Sequence, residues 1–165
     1  MDLTARLVVH PSHIIPAIPH FMFSLPLGWV IDEAPGALAV MRQAKEIDGF
    51  WINAMLTHDR VARSVDFKKA AQITWAKLLR QSPDAKETFE KMARFGANIV
   101  YLRGSEMTSP ATKRPLAQMQ ALFFAPVSSP GKVVDFFQIV CTVPAELADT
   151  YGKDFVEMIA SFKFT

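Results

Sequence analysis

The sequence contains very little cysteine. Cys141 is the one thiol among 165 residues, so no disulfide can form within the chain. This excludes a domain that depends on a framework of disulfides for its stability. Cys141 lies in an apolar, β-rich segment without a basic neighbour, whereas a reactive thiol needs an electropositive and accessible setting. The sequence therefore predicts a buried, unreactive Cys141.

The chain also lacks a strong net charge and a long apolar run. Eighteen Lys and Arg against sixteen Asp and Glu leave a formal net charge of +2. Because nucleic-acid binding usually requires a basic stripe, we expect no nucleic-acid partner. Three histidines and three prolines interrupt the apolar stretch 7–23, whereas a membrane-spanning helix needs about 20 apolar residues. We therefore expect a cytoplasmic protein with no transmembrane segment.

Motifs typical of catalysis are missing as well. Neither a glycine-rich phosphate-binding loop nor the G-x-S-x-G turn of serine hydrolases occurs. His10 and His13 have the H-x-x-H spacing of a zinc site and His20 is nearby, but this segment supplies no carboxylate or thiolate. Adjacent strand residues point to opposite faces, so His58 and Asp59 form a dyad only if the fold turns them together. We expect a non-enzymatic protein with no cofactor and no metal.

The chain is, by contrast, rich in apolar and aromatic residues. Half of the residues are hydrophobic, including thirteen Phe and three Trp, and each aromatic side chain can bury roughly 150–250 Å². These residues suffice for one hydrophobic core. Because no repeat or linker divides the sequence, it predicts a single domain over residues 1–165.

Apolar alternation predicts mainly strands, joined by tight turns such as the one at 128–131. The segments with this alternation are 6–9, 21–25, 37–42, 50–57, 98–107, 116–125 and 132–143. The last of these is apolar on both faces, which is typical of a central strand. Tight turns between consecutive strands indicate antiparallel pairing.

Helical spacing of apolar residues predicts two helices. The first covers 65–81 with Ser64 as its N-cap, and the second covers about 151–161. Residues 162–164 then form a short strand or a packed tail. Residues 83–95 fit either a helix that starts at Ser82-Pro83 or a strand, and the local signals slightly favour the helix.

A group of amide side chains is the main candidate for a binding site. Three glutamines lie on two strands that we expect to pair, and an asparagine shares one face of a third strand with a tryptophan and a methionine. If these faces meet, they form an apolar surface with a few convergent amides, which is typical of ligand pockets. The alternative is a sheet face partly open to water. The candidate ligand- or partner-binding residues are Trp51, Asn53, Met55, Gln118, Gln120 and Gln138.

Several short motifs resemble the LpqN family of actinobacterial proteins. Phe21-x-Phe-x-Leu25-Pro26-x-Gly28-Trp29 is similar to the opening strand and turn of that family. Gly49-Phe50-x-x-Asn53-Ala54-x-x-Thr57, followed by Arg60-Val61, is similar to its next block. The final helix also fits, since it runs into Ser161-Phe162-Lys163-Phe164. The likeness therefore covers the chain in order from Phe21 to Phe164.

The resemblance implies a PsbP-like fold, which is shared with the Ran-binding Mog proteins. The expected class is α+β, an antiparallel β-sheet flanked by helices as an α/β/α sandwich, and it favours the strand for residues 88–95. Members of the LpqN family are typically exported lipoproteins, whereas this sequence shows neither a signal peptide nor a lipobox. The family has no established catalytic residues.

The function expected is that of a non-enzymatic binding or adaptor protein, whose partner is an unknown protein or an apolar small molecule. An exposed apolar patch would mark the docking face, and it could also form a homodimer. One alternative is a carrier that holds a small apolar or lipid-like ligand between sheet and helix, near Trp51, Met55 and the glutamines. An enzyme of unknown class is the other.

Overall fold

The structure, a computed structural model, describes residues 7–127 and 131–165. The predicted turn at 128–131 lies outside the described residues except for Gly131, as does residue 6 of the first predicted strand. Residues 7–9 are not in a strand, so that prediction was wrong where it can be checked. Their side chains are exposed, and no strand of the described residues pairs with their backbone to give the hydrogen bonds that a strand requires.

Nine strands and two α-helices are found in the described part of the chain. They are β1 (Phe21–Met22), β2 (Trp29–Asp32), β3 (Ala39–Gln43), β4 (Asn53–Ala62), α1 (Phe67–Gln81), β5 (Lys86–Phe95), β6 (Asn98–Thr108), β7 (Pro115–Phe124), β8 (Val133–Pro144), α2 (Ala148–Ser161) and β9 (Lys163–Phe164). One turn of 3-10 helix, Ala145–Leu147, leads into α2.

Seven strands form one antiparallel sheet in the order β2-β3-β4-β8-β7-β6-β5. β8 lies at its centre, as its two apolar faces predict. β1 and β9 pair with each other outside this sheet. Of the two alternatives for residues 162–164, a short strand or a packed tail, the short strand is therefore found. The helices cover opposite faces, which we call the α1 face and the α2 face. The predicted α+β sandwich is therefore confirmed.

The main hydrophobic core lies on the α2 face. Phe123, Phe137 and Phe162 are almost fully buried there, and Phe137 lies 5.8 Å from each of the other two rings. Phe155 and Met158 of α2 pack against the same core. Because strand side chains alternate between faces, a second and smaller cluster is left on the α1 face. Its buried members are Ala70, Ala71, Tyr101, Leu122 and Phe136.

Residues 86–95 form a strand, so the helix that the local signals favour was wrong and the strand implied by the family resemblance was right. β5 pairs with β6 from Lys86 to Phe95, with one register shift between Glu87 and Phe89. This pairing provides hydrogen-bond partners for the backbone of a segment whose own propensity for the strand conformation is weak. Ser82, the expected start of that helix, instead ends α1, where its N–H donates to the carbonyl of Leu78.

Both α-helices begin at residues that differ from the predicted ones. α1 starts at Phe67, and its N-cap is Asp66 rather than Ser64, because the Asp66 carboxylate accepts the Lys69 N–H at 2.8 Å. This cap satisfies one of the free N–H groups of the first turn. α2 starts at Ala148, earlier than predicted, and Gly152 is accommodated inside it.

Candidate functional site

The structure brings most of the predicted site residues together on the α1 face. In one row across the sheet, Asn53 of β4 faces Thr142 of β8, which in turn faces Gln118 of β7. The next row, in the same order of strands, contains Met55, Val140 and Gln120. Gln138 follows two residues before Val140 on β8 and therefore points to the same face.

A cavity of about 340 Å³ lies between these rows and α1, and we call it the amide cavity. Its helical wall includes Thr74, Lys77 and Leu78. Five of the six predicted residues line it. Trp51 does not, because it precedes β4 and is stacked beneath the guanidinium of Arg42, 4.6 Å from the ring centroid.

A buried arginine lies behind the wall of the amide cavity. Arg103 is only 4% exposed. Its Nη1 donates to Oε1 of Gln120 at 3.4 Å, and its Nη2 donates to the carbonyl of Ala71 at 3.0 Å. Its guanidinium also lies 5.0 Å from the ring centroid of Trp75, within reach of a cation–π interaction. Gln120 therefore connects the cavity to a buried positive charge.

Within the described part of the chain, Arg103 reaches a carboxylate only through a tyrosine. Its Nη2 donates to the hydroxyl oxygen of Tyr101 at 2.9 Å, and that hydroxyl donates to Glu90 at 2.5 Å. Burial, followed by the hydrogen bond to Glu90, raises the pKa of Tyr101 and keeps its hydroxyl protonated. Among the described residues, Nε of Arg103, Oγ of Ser105 and Oε1 of Gln118 are buried polar atoms that have no hydrogen-bond partner. The α1 face thus holds polar groups that its own structure does not fully satisfy.

A larger concavity of about 710 Å³ lies on the opposite face, between α2 and the neighbouring parts of β5, β6 and β7. We call it the α2 groove. It is lined mainly by apolar side chains and by two glycines. The residues that define it are Phe89, Gly104, Ala117, Met119, Val143, Ala148, Gly152, Phe155 and Val156.

The two glycines give the α2 groove its shape. A Cβ atom at Gly104 would collide with the ring of Phe89, so the glycine leaves the space that this ring occupies. A Cβ atom at Gly152 would meet no atom of residues 7–127 and 131–165 within 4 Å. The groove is therefore open where α2 passes over the sheet, and a larger side chain at position 152 would enter free space.

The rim of the α2 groove combines exposed apolar and acidic side chains. Phe89 is 43% exposed and Val156 is 42% exposed. Three carboxylates, those of Glu106, Asp149 and Glu157, line the rim together with one ammonium group, that of Lys153. The groove is therefore apolar at its base and acidic at its edge.

The sequence did not predict the α2 groove. One of its walls is β5, for which the local signals slightly favoured a helix over a strand. The position of Phe89 opposite α2 was therefore not predicted. The sequence signal that could have indicated the groove is a pair of glycines, Gly104 in a predicted strand and Gly152 in a predicted helix. A glycine inside a strand often marks a place where another group approaches the backbone closely.

Two groups that were considered for catalysis are engaged elsewhere. His58 does not pair with Asp59; its Nε2 lies 2.8 Å from Oδ1 of Asp135, and its ring contacts Phe137. Cys141 is completely buried, and burial raises its pKa well above the ordinary range of a thiol. It is therefore a core residue, as predicted. No group of three or more His, Cys, Asp or Glu among residues 7–127 and 131–165 is placed to hold a metal ion.

Neither helix of the described chain is long and apolar enough to cross a membrane.

A scan against protein-family models and a search of curated proteins both give no match. Solved structures, however, share the fold. LpqN of Mycobacterium tuberculosis, which is involved in cell envelope biogenesis, superimposes with a TM-score of 0.73 at 13% identity, covering 94% of this chain and 87% of that protein.

Two further structures are similar over most of their length. The cyanobacterial PsbP of Synechocystis sp. PCC 6803 has a TM-score of 0.58 at 15% identity and covers 88% of this chain and 86% of its own. The Ran-binding protein Mog1p of Saccharomyces cerevisiae has a TM-score of 0.56 at 13% identity, with coverages of 87% and 89%. At such identities the similarity concerns the fold alone, and the chain has an LpqN-like, PsbP/Mog-like fold.

Proposed function

We propose that this protein is a non-enzymatic binding domain that docks a segment of a partner protein in the α2 groove. The segment presents apolar side chains to the base of the groove and carries Lys or Arg on either side of them. The observation that carries this proposal is an open apolar groove of about 710 Å³ with an acidic rim.

The apolar part of the proposal rests on side chains that remain in contact with water. Phe89 and Val156 are each more than 40% exposed, although they adjoin the buried Phe155. Covering apolar surface contributes roughly 25 cal/mol per Å². Apolar patches with a polar rim are typical of protein-interaction sites.

The charge of the rim supports basic flanking residues in the partner. Of the described residues, three carboxylates and a single ammonium group line the groove. Lys86 faces Glu106 across the β5–β6 pairing, but these two described residues do not form an ion pair. An acidic rim steers a basic segment toward the groove and disfavours acidic competitors.

The Ran-binding Mog1p gives additional support, since it has this fold and binds a protein. A shared fold does not fix function, so the proposal rests on the groove itself. Cys141 and His58, the groups most suited to catalysis, contribute nothing to the lining of the groove. This favours recognition over chemistry at the site.

The test uses a variant that fills the groove and a matched control. Gly152→Leu places a branched side chain in the open space, whereas Thr150→Leu adds the same side chain to an exposed position of α2 outside the lining. A random peptide display library is selected against each protein. We expect wild type and Thr150→Leu to enrich peptides with apolar residues flanked by Lys or Arg, and Gly152→Leu to lose those peptides. Enrichment of acidic peptides, no enrichment, or binding that survives Gly152→Leu would contradict the proposal.

The size of the groove also favours a second function, as a carrier of a small apolar molecule. Ligand pockets commonly measure about 300–1,000 Å³, and the groove lies within that range. A carrier would bind the neutral fluorophore N-phenyl-1-naphthylamine with enhanced emission, and Gly152→Leu would abolish the enhancement. If peptides bind but the fluorophore does not, the docking function stands and the carrier function is excluded.

A further inference from the structure

We propose that the amide cavity on the α1 face is a binding site for a small organic carboxylate. The seven-stranded sheet lies between this cavity and the α2 groove, although Gln118 contributes to the lining of both. The site adds a low-molecular-weight ligand to the docking function and does not depend on that function.

Hydrogen-bond donors are available in the wall of the amide cavity. A guanidinium has donors only, so the hydrogen bond from Arg103 fixes Oε1 of Gln120 toward the arginine. Nε2 of Gln120 is thereby turned away from Arg103 and is free to donate within the cavity that this residue lines. Asn53 uses one N–H on the carbonyl of Trp51 and retains the other. A carboxylate accepts such hydrogen bonds at both of its oxygens.

The charges around the amide cavity favour an anion. Lys77 belongs to its lining, in which no Asp or Glu occurs among the described residues. Arg103 lies behind Gln120 and has no carboxylate within 4 Å among the described residues. α1 itself carries four basic residues and no acidic one: Lys68, Lys69, Lys77 and Arg80. A cation would find no counter-charge here, whereas a carboxylate would find two nearby positive groups.

The apolar part of the lining limits the size of the ligand. Met55, Leu78 and Val140 face the same space as the amides. The volume of about 340 Å³ lies near the lower end of the range for small-molecule pockets. A short aliphatic chain or a single ring bearing a carboxylate satisfies both the apolar and the polar parts of the wall.

The side-chain amide signals in a ¹⁵N NMR spectrum test this site directly. Benzoate, butyrate and succinate are titrated separately, and benzamide serves as the uncharged counterpart of benzoate. We expect at least one carboxylate to shift the side-chain NH₂ signals of Gln120 and Gln138 saturably below about 10 mM, and benzamide to bind at least about tenfold more weakly. No saturable shift with any carboxylate, or equal binding of benzamide, would overturn the proposal.

Two exposed lysines of α1 provide a matched pair of variants. Lys77→Gln removes the positive charge at the cavity, and Lys69→Gln removes one from the same helix outside the lining. We expect Lys77→Gln to weaken carboxylate binding about five- to tenfold and Lys69→Gln to change it less than about twofold, because salt and water screen distant exposed charges. An equal effect of both variants, or none from Lys77→Gln, would contradict the site.

Discussion

The two faces of the sheet differ in what they bury. On the α2 face, aromatic rings pack around Phe137, which is fully buried together with Phe123 and Phe162. On the α1 face, the sheet buries Arg103, Ser105 and Gln120 beneath a helix. Apolar burial stabilises a fold, whereas a buried polar group costs free energy unless it is hydrogen-bonded.

The parts of the molecule that we expect to stabilise the fold therefore differ from the parts that we expect to bind partners. The packed half of the α2 face holds the sheet, α2 and the β1–β9 pair together. The α2 groove and the amide cavity lie at places where that packing is incomplete, one of them apolar and one of them polar. We therefore expect substitutions in the aromatic core to affect stability most, and substitutions at either concavity to affect binding more than stability.

The largest effect on stability is expected for Phe137→Ala. The ring lies 5.8 Å or less from four other phenylalanine rings, those of Phe21, Phe123, Phe162 and Phe164. Its removal should lower the free energy of unfolding by about 3–5 kcal/mol, because the cavity that remains cannot collapse. Chemical denaturation followed by circular dichroism measures the change. A loss below about 1 kcal/mol would contradict the aromatic core as the main source of stability.

An intermediate effect is expected for Arg103→Met on the α1 face. The side chain keeps much of its apolar volume, but the amide of Gln120 and the carbonyl of Ala71 lose a donor. The expected loss is about 1–3 kcal/mol by the same denaturation. The double variant Arg103→Met/Gln120→Leu should recover part of it, since both partners of one hydrogen bond are then apolar. A double variant that is the sum of its parts would show that the two residues do not interact.

The smallest effect is expected for Gly152→Ala, and its sign is opposite. Gly152 lies inside α2 with free space beside its Cα, and alanine is favoured over glycine in a helix by about 1 kcal/mol. The thermal midpoint of unfolding should rise. A lower midpoint would show that the backbone at position 152 requires glycine. The groove would then have to be filled by a substitution at a position other than 152.

Several features of the sheet could be predicted from the sequence, because each depends on the residue pattern within one strand. Alternation predicted a strand over 50–57 with Phe50, Ile52, Ala54 and Leu56 on one face. The last three of these residues are fully buried and Phe50 is partly buried. The two apolar faces of 132–143 predicted the central position of β8. In both cases the pattern of a single strand contains the information.

The remainder depends on contacts between distant segments. The pairing of β5 with β6 decides the structure of residues 86–95, whose own pattern fits a helix or a strand and slightly favours the helix. The pairing of His58 with Asp135, 77 residues apart, could not be predicted from spacing for the same reason. The prediction that the amide side chains lie on one surface required only that β4, β7 and β8 be neighbours in the sheet. It could therefore be made from the sequence as a hypothesis.

We infer that the two faces of the sheet bind different partners, with a basic, apolar protein segment in the α2 groove. The most direct measurement is a titration of ¹⁵N-labelled protein with a synthetic peptide in which leucine and phenylalanine are flanked by lysines. A second peptide carries glutamates in place of the lysines. Saturable shifts of backbone amides at Gly104, Gly152 and Val156, seen only with the lysine peptide, are predicted. Shifts centred on Thr74 and Leu78 of the α1 face, or the same response to both peptides, would contradict the account.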